Sequence, residues 1–169
     1  VSKDADVTVA FSLELPELFT LTSPEYEIMH ATWNKAVRVL PDYSILHKQD
    51  WFIKENYRSD FGKENLSFLS RSYKRHFNER PFLNHSVYLY LTKTTKQRMA
   101  QQSDFSTLCR GTILPKEIKD KETIGRFLES VDQFERIIND SGIMQLTRLS
   151  ADDICGTKRK RGLLDRCFI

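Results

Sequence analysis

In the stretch "SILHKQDWFIKENY" a histidine precedes an aspartate by three residues, His47 and Asp50, with Trp51 directly behind. A carboxylate that orients an imidazole makes a general base, but only if the two lie within hydrogen-bond reach. Residues 43–57 read as a strand, and neighbouring strand side chains point to opposite faces. His47 then shares a face with Ile45, Gln49, Trp51 and Ile53, and Asp50 with Leu46, Lys48 and Phe52. A dyad would need a bulge between them. The expectation is a histidine at the margin of an apolar face, with Asp50 at an edge or turn.

A metal is the second chemistry to weigh. His76 and His85 flank "FNERPFLN", and Glu79 lies between them. The pattern lacks the i, i+4 histidine pair of a helical zinc motif, and its register does not favour tetrahedral ligation. His76 and Glu79 are expected to cap a helix end, and His85 to face the core. His30 lies one position off the stripe of its helix and has no evident role. Cys109, Cys155 and Cys167 form no CxxC pair and lie far from any histidine, so reduced thiols in a cytoplasmic compartment are the plain reading. The chain has no phosphate-cradling GK-Ser/Thr, no GxSxG elbow, no GxGxxG turn and no HExxH. Its 6 glycines leave few loops able to approach a phosphate closely. No catalytic, cofactor or metal residue is expected.

Charge points instead to surfaces. Residues 1–30 hold one lysine against six acids, a net of −5, and the other 139 residues carry a net of +8. Such a gradient orients a domain toward a charged partner, yet it is too weak to demand nucleic acid. Lys158, Arg159, Lys160 and Arg161 run together between Gly156 and Gly162. A solvated loop is the plain reading, and phosphate or headgroup contact the sharper one. No aromatic interleaves the run, which weakens a reading by base stacking.

These residues need elements to position them. At 169 residues the chain fits one domain with a core of its own. "VTVAFSLEL" alternates as a half-buried strand, with Val7, Val9, Phe11, Leu13 and Leu15 on one face, until Pro16 ends it. Ser23 is expected to cap a helix with Pro24 at its first position and an inward stripe of Tyr26, Met29, Trp33, Val37 and Leu40. Residues 65–80 read as a helix with Leu66, Leu69, Tyr73 and Phe77 inward and Arg71, Lys74 and Arg75 outward.

"HSVYLYLT" is a third strand, with His85, Val87, Leu89 and Leu91 on one face. Residues 95–119 read as a short helix followed by an exposed loop or arm. A helix from about 121 to 140 follows, with Ile124, Phe127, Leu128, Val131, Phe134, Ile137 and Ile138 at helical spacing and Gly142 as its stop. A strand over 143–149, a short helix capped by Ser150 and Asp153, and the apolar "LLDRCFI" complete the order. This pattern predicts an α+β fold: an open, mixed or mostly antiparallel sheet of about four strands with helices on one face. No apolar run approaches the ~20 residues that cross a bilayer. The chain opens without an initiator methionine and is read as an excised piece of a longer protein.

Several stretches together carry a resemblance: "LELPELFTLTSPEY", "LHKQDWF", "SFLSRSYKRHFNERPFLNHSVYLYLTKT" and "QFERIINDSG". They resemble the N-terminal region of the TraG-family conjugation ATPases of Bacteroidetes-type conjugative transposons, similar to the large assembly ATPase of type IV secretion systems. The resemblance spans nearly the whole chain. It implies that residues 1–169 form a single α+β N-terminal domain ahead of an ATPase motor, with ATP and Mg used by the full-length protein and not by this part. It also implies a cytoplasmic location peripheral to the inner membrane, with channel subunits and neighbouring protomers as partners. Arg71, Lys74, Arg75 and Lys158–Arg161 are the expected partner-binding residues, together with the loop 95–119. The other reading is a basic module that contacts transferred DNA.

Overall fold

A computed structural model describes residues 6–17, 19–57, 67–94, 121–157 and 161–167. Four strands, β1 (Val7–Glu14), β2 (Ser44–Asn56), β3 (Pro81–Lys93) and β4 (Gln145–Arg148), form one open antiparallel sheet in the order β2-β3-β1-β4. The helices are α1 (Ser23–Val39), α2 (Phe68–Asn78), α3 (Lys121–Asn139), α4 (Ala151–Cys155) and α5 (Leu163–Cys167). The expected α+β class holds. Among the described residues, with α2, α4 and α5 set aside, the path β1-α1-β2-β3-α3-β4 and its strand order are those of a ferredoxin-like split β-α-β sheet. The folded chain divides into two compact units, one of residues 1–49 and 88–169, the other of residues 50–87.

The first unit owns the core. Phe11 and Leu13 from β1, Leu89 and Leu91 from β3, and Leu146 from β4 are buried, as are Ala36 of α1 and Phe127, Val131, Phe134 and Ile138 of α3. Residues Phe11 and Leu13 pair with Arg148 and Leu146, so one pleat parity collects the apolar side chains of both strands. Arg148 lies 5.6 Å from the Phe11 ring centre and donates to Asp132 on α3 at 3.0 Å, which places α3 over that same face. Helices α1 and α3 pack together, with the Trp33 and Phe134 rings edge to face at 6.2 Å. At the end of α3 the Asn139 side chain donates to the Leu146 carbonyl at 3.2 Å and accepts its N–H at 2.7 Å. That amide acts as one more rung and fixes where β4 begins.

Two expectations change at α1. Thr22, not Ser23, is the N-cap, so Pro24 sits one position further in. The Glu25 carboxylate accepts from the Thr22 backbone N–H at 2.8 Å and from its hydroxyl at 2.7 Å. The inward stripe is also rotated: Ala36 is the buried residue, and Tyr26 and Val37 lie on the exposed rim. A small residue at the centre of the stripe lets α1 approach its neighbour, and periodicity counted on large apolar residues alone misses it.

Core burial makes one contrast measurable. Leu89→Ala is expected to lower the unfolding free energy by about 2–5 kcal/mol, the usual cost of a cavity at a buried leucine. Leu69→Ala, on the exposed stripe of α2, should stay within about 0.5 kcal/mol by the same urea titration. A second expectation concerns pH. The two bonds from Thr22, the backbone one first, hold the Glu25 carboxyl below its usual range. Their stabilisation is present above the ordinary glutamate range and is lost as pH falls through the lowered value. The protection of the Thr22 amide, its exchange rate relative to the intrinsic rate at each pH, should therefore fall on acidification, and Glu25→Gln should abolish that change in protection.

Candidate docking surface

The unit of residues 50–87 has a different construction. Among its described residues only Val87 is buried, and α2 buries none of its side chains. Ser67 caps α2, its hydroxyl accepting from the Ser70 N–H at 3.3 Å. Glu79 closes the other end: its N–H reaches the Arg75 carbonyl at 3.1 Å, and its carboxylate pairs with the Arg75 guanidinium at 2.8 Å. That bond raises the Arg75 pKa above its already high value, so the side chain keeps its charge at any working pH. The expected capping role of Glu79 is what the geometry shows. His76 packs edge-on against Phe77 at 5.3 Å.

The expected inward stripe of α2 faces outward. Leu69 is 79% exposed, Tyr73 67% and Phe68 79%, and Phe77 is exposed as well. Tyr73 packs against Phe77 at 4.5 Å, and Phe77 also meets Tyr57 at 6.3 Å. The remaining expected stripe residue, Leu66, lies outside the described residues. Helical period alone identifies an amphipathic face and does not say whether anything covers it. Arg71 and Arg75 are exposed as expected, whereas Lys74 is half-buried. Exposed Phe52, Phe82 and Leu83 add to the apolar surface of the same unit.

The pair that opened the sequence reading separates as the pleat requires. His47 tilts against Tyr90 at 5.7 Å, and Gln49 on the same parity accepts from the Tyr90 hydroxyl at 3.0 Å. Asp50 belongs to the other parity and meets His85 Nε2 at 2.9 Å. Phe52, also of that parity, stacks flat on the His85 ring at 4.5 Å. A histidine–aspartate contact therefore exists, across strands, with a histidine that was expected in the core. His85 is exposed because burial on its face of β3 begins only at Val87. Both side chains are about a third exposed, so the pair contributes little to stability.

Among the described residues no three His, Cys, Asp or Glu side chains converge on a common point. Arg161 is exposed, while Lys158, Arg159, Lys160 and the loop 95–119 lie outside the described residues. The ends of the basic run come close together: a Cβ added to Gly162 would lie 2.1 Å from the Gly156 nitrogen. Both positions therefore need glycine, which composition suggested only as loop punctuation. No described helix is long and apolar enough to cross a membrane.

The fold and this surface define an α+β domain with an uncovered basic and aromatic helix. Residues 1–31 of the chain match a domain of unknown function described from a B. Theta gene (DUF3875). The match covers β1 and the first half of α1 and ends before α2. No curated protein and no solved structure matches the chain.

The His85 contact is testable by NMR. Asp50→Asn should shift the side-chain nitrogen resonances of His85 and leave those of His47 in place. Equal movement of both histidines would mean that the strand parities are misassigned.

Proposed function

We propose that this chain is a non-catalytic docking and assembly domain of a conjugative-transfer ATPase of the type IV secretion kind. It binds inner-membrane channel subunits and neighbouring protomers, and it is held on the cytoplasmic side of that membrane by those contacts. The observation that carries the docking part is α2: an amphipathic helix whose apolar face is left open beside Arg71, Lys74 and Arg75. Soluble domains rarely expose contiguous apolar surface without a use for it. Aromatic and arginine side chains are also the types that dominate interface energetics. The family assignment is supported by the resemblance noted in the sequence. ATP and Mg act elsewhere in such proteins, and this domain binds neither.

Co-purification with the channel's membrane subunits tests the reading. Retention by the native domain, and its fall by at least tenfold in an Arg71→Glu, Tyr73→Ser double variant, is the expected result. ATP with Mg should leave the melting temperature unchanged, since a ligand that does not bind gives no mass-action stabilisation. Retention of the subunits by a full-length ATPase but not by this domain would place the docking surface elsewhere.

Nucleic acid is the second reading, and one feature of α2 favours it. Tyr73 and Phe77 stand among Arg71, Lys74 and Arg75, which combines stacking rings with phosphate-seeking charge. Affinity for single-stranded DNA that drops steeply between low and physiological salt would support this reading. Affinity that salt does not change would end it.

A further inference from the structure

The apolar face of α2 is unpartnered, and its complement lies elsewhere on the same chain. Between Lys3 and Lys35 the sequence contains no lysine or arginine but six acids. Glu14, Glu17, Glu25 and Glu27 are all exposed, and among them Leu15, Phe19, Tyr26 and Ile28 are exposed large apolar residues. Phe19 is fully exposed, at 103%. Beside Glu14 and Leu15 an open groove of about 500 Å³ is lined further by Pro16, Asn139, Gly142, Ile143, Met144 and Gln145. The end of β1 and the start of α1 thus carry exposed acids and exposed apolar side chains, and a groove opens at the β1 end. The other surface, on α2, is basic, has no acid between Ser67 and Asn78, and projects Phe68, Leu69 and Tyr73 as knobs.

We propose that the occupant of the α2 face is a second copy of this chain, docked through its acidic β1–α1 surface. Arg71 and Lys74 of one copy face Glu14 and Glu17 of the next, and an aromatic knob of α2 enters the groove beside Leu15. Opposite charges steer the encounter, and the desolvated rings hold it. The two surfaces differ, so the contact is heterologous: each copy uses one as donor and the other as receptor, and association continues into a ring or a filament. An anionic lipid leaflet would offer α2 similar chemistry, but the complement present on the chain itself favours the second copy. The inference deepens the assembly part of the function proposed above and does not depend on the channel part.

Sedimentation velocity of the whole chain over about a hundredfold concentration range tests it. Species should grow beyond a dimer, with association at least tenfold weaker when salt rises from ~50 to ~500 mM, as exposed charges are screened. Two triple variants each block one side. One is Phe68→Ser, Leu69→Ser, Arg71→Ser; the other is Glu14→Gln, Glu17→Gln, Phe19→Ser. All six side chains are exposed, so both variants should fold, which circular dichroism checks. Each variant alone should be monomeric, and an equimolar mixture should stop at a 1:1 complex because a single competent pair of surfaces remains.

A native chain that stays monomeric throughout overturns the proposal, as does a mixture that fails to associate or a dimer that survives both variants. A monomer that binds phosphatidylglycerol vesicles through α2 assigns the face to lipid and overturns it as well. A monomeric chain that still retains channel subunits would end this inference and keep the docking reading. Growth of the assembly without retention would do the reverse.

Discussion

The alternation of side chains along β1 and β3 decides what this chain can do. Phe11 and Leu13 on one strand, and Leu89 and Leu91 on the other, lie at 0–3% exposure because one pleat parity is roofed by α1 and α3. A strand cannot shift by one residue without moving that whole set to the opposite face. The β1–β4 register, the Asn139 clip on Leu146 and the Arg148–Asp132 bridge all agree with a single setting. With the register pinned in this way, the face of every polar side chain on these strands follows.

Along β2 the same two-residue alternation separates His47, which meets Tyr90, from Asp50, which meets His85. The resulting cross-strand pair has Phe52 stacked on its imidazole and stands about a third open to water. A general base needs a neighbouring nucleophile or bound water in a cavity, with its charge state tuned by burial. Here the imidazole is stacked, solvated and close to one carboxylate, which makes it a surface rung of the sheet. The chemistry suggested by the sequence is therefore reassigned by geometry to a structural contact.

Much of the fold was legible because local signals and tertiary packing agree. The β1 alternation as far as Leu13, the α3 stripe apart from exposed Leu128, and the Ser150–Asp153 cap appear where their patterns place them, and the strand expected over 143–149 forms at Gln145–Arg148. The Asp153 carboxylate accepts from the Ser150 backbone N–H at 3.2 Å and the Ser150 hydroxyl oxygen accepts from the Asp153 N–H at 3.2 Å, as the capping motif requires. What sequence could not supply was which amphipathic faces meet. The stripes of α2 and α3 look alike in sequence, yet Val131 and Phe134 are fully buried while Leu69 and Tyr73 stand in solvent. Period reveals that a face exists, and only long-range contacts reveal its cover. Tyr43, at φ 60°, was equally hidden: a left-handed tyrosine has no sequence signature, and it is held where its carbonyl accepts from Thr94 and Lys93 lies over its ring.

The open helix has a thermodynamic consequence. At 11 residues α2 is shorter than the ~12–15 that an isolated helix needs to be stable in water. Tertiary burial usually supplies the deficit, but α2 buries no residue, so its order rests on the Ser67 cap, the Arg75–Glu79 pair and the stacking of Tyr57, Tyr73 and Phe77. Each of these exposed contacts is worth on the order of a kcal/mol or less. A partner that covers the Leu69–Tyr73 face therefore does two things at once: it removes apolar surface from water, and it stabilises the helix that presents that surface. Binding and local folding would then share one free energy, so a helix that buries none of its own side chains gains order from whatever docks against it.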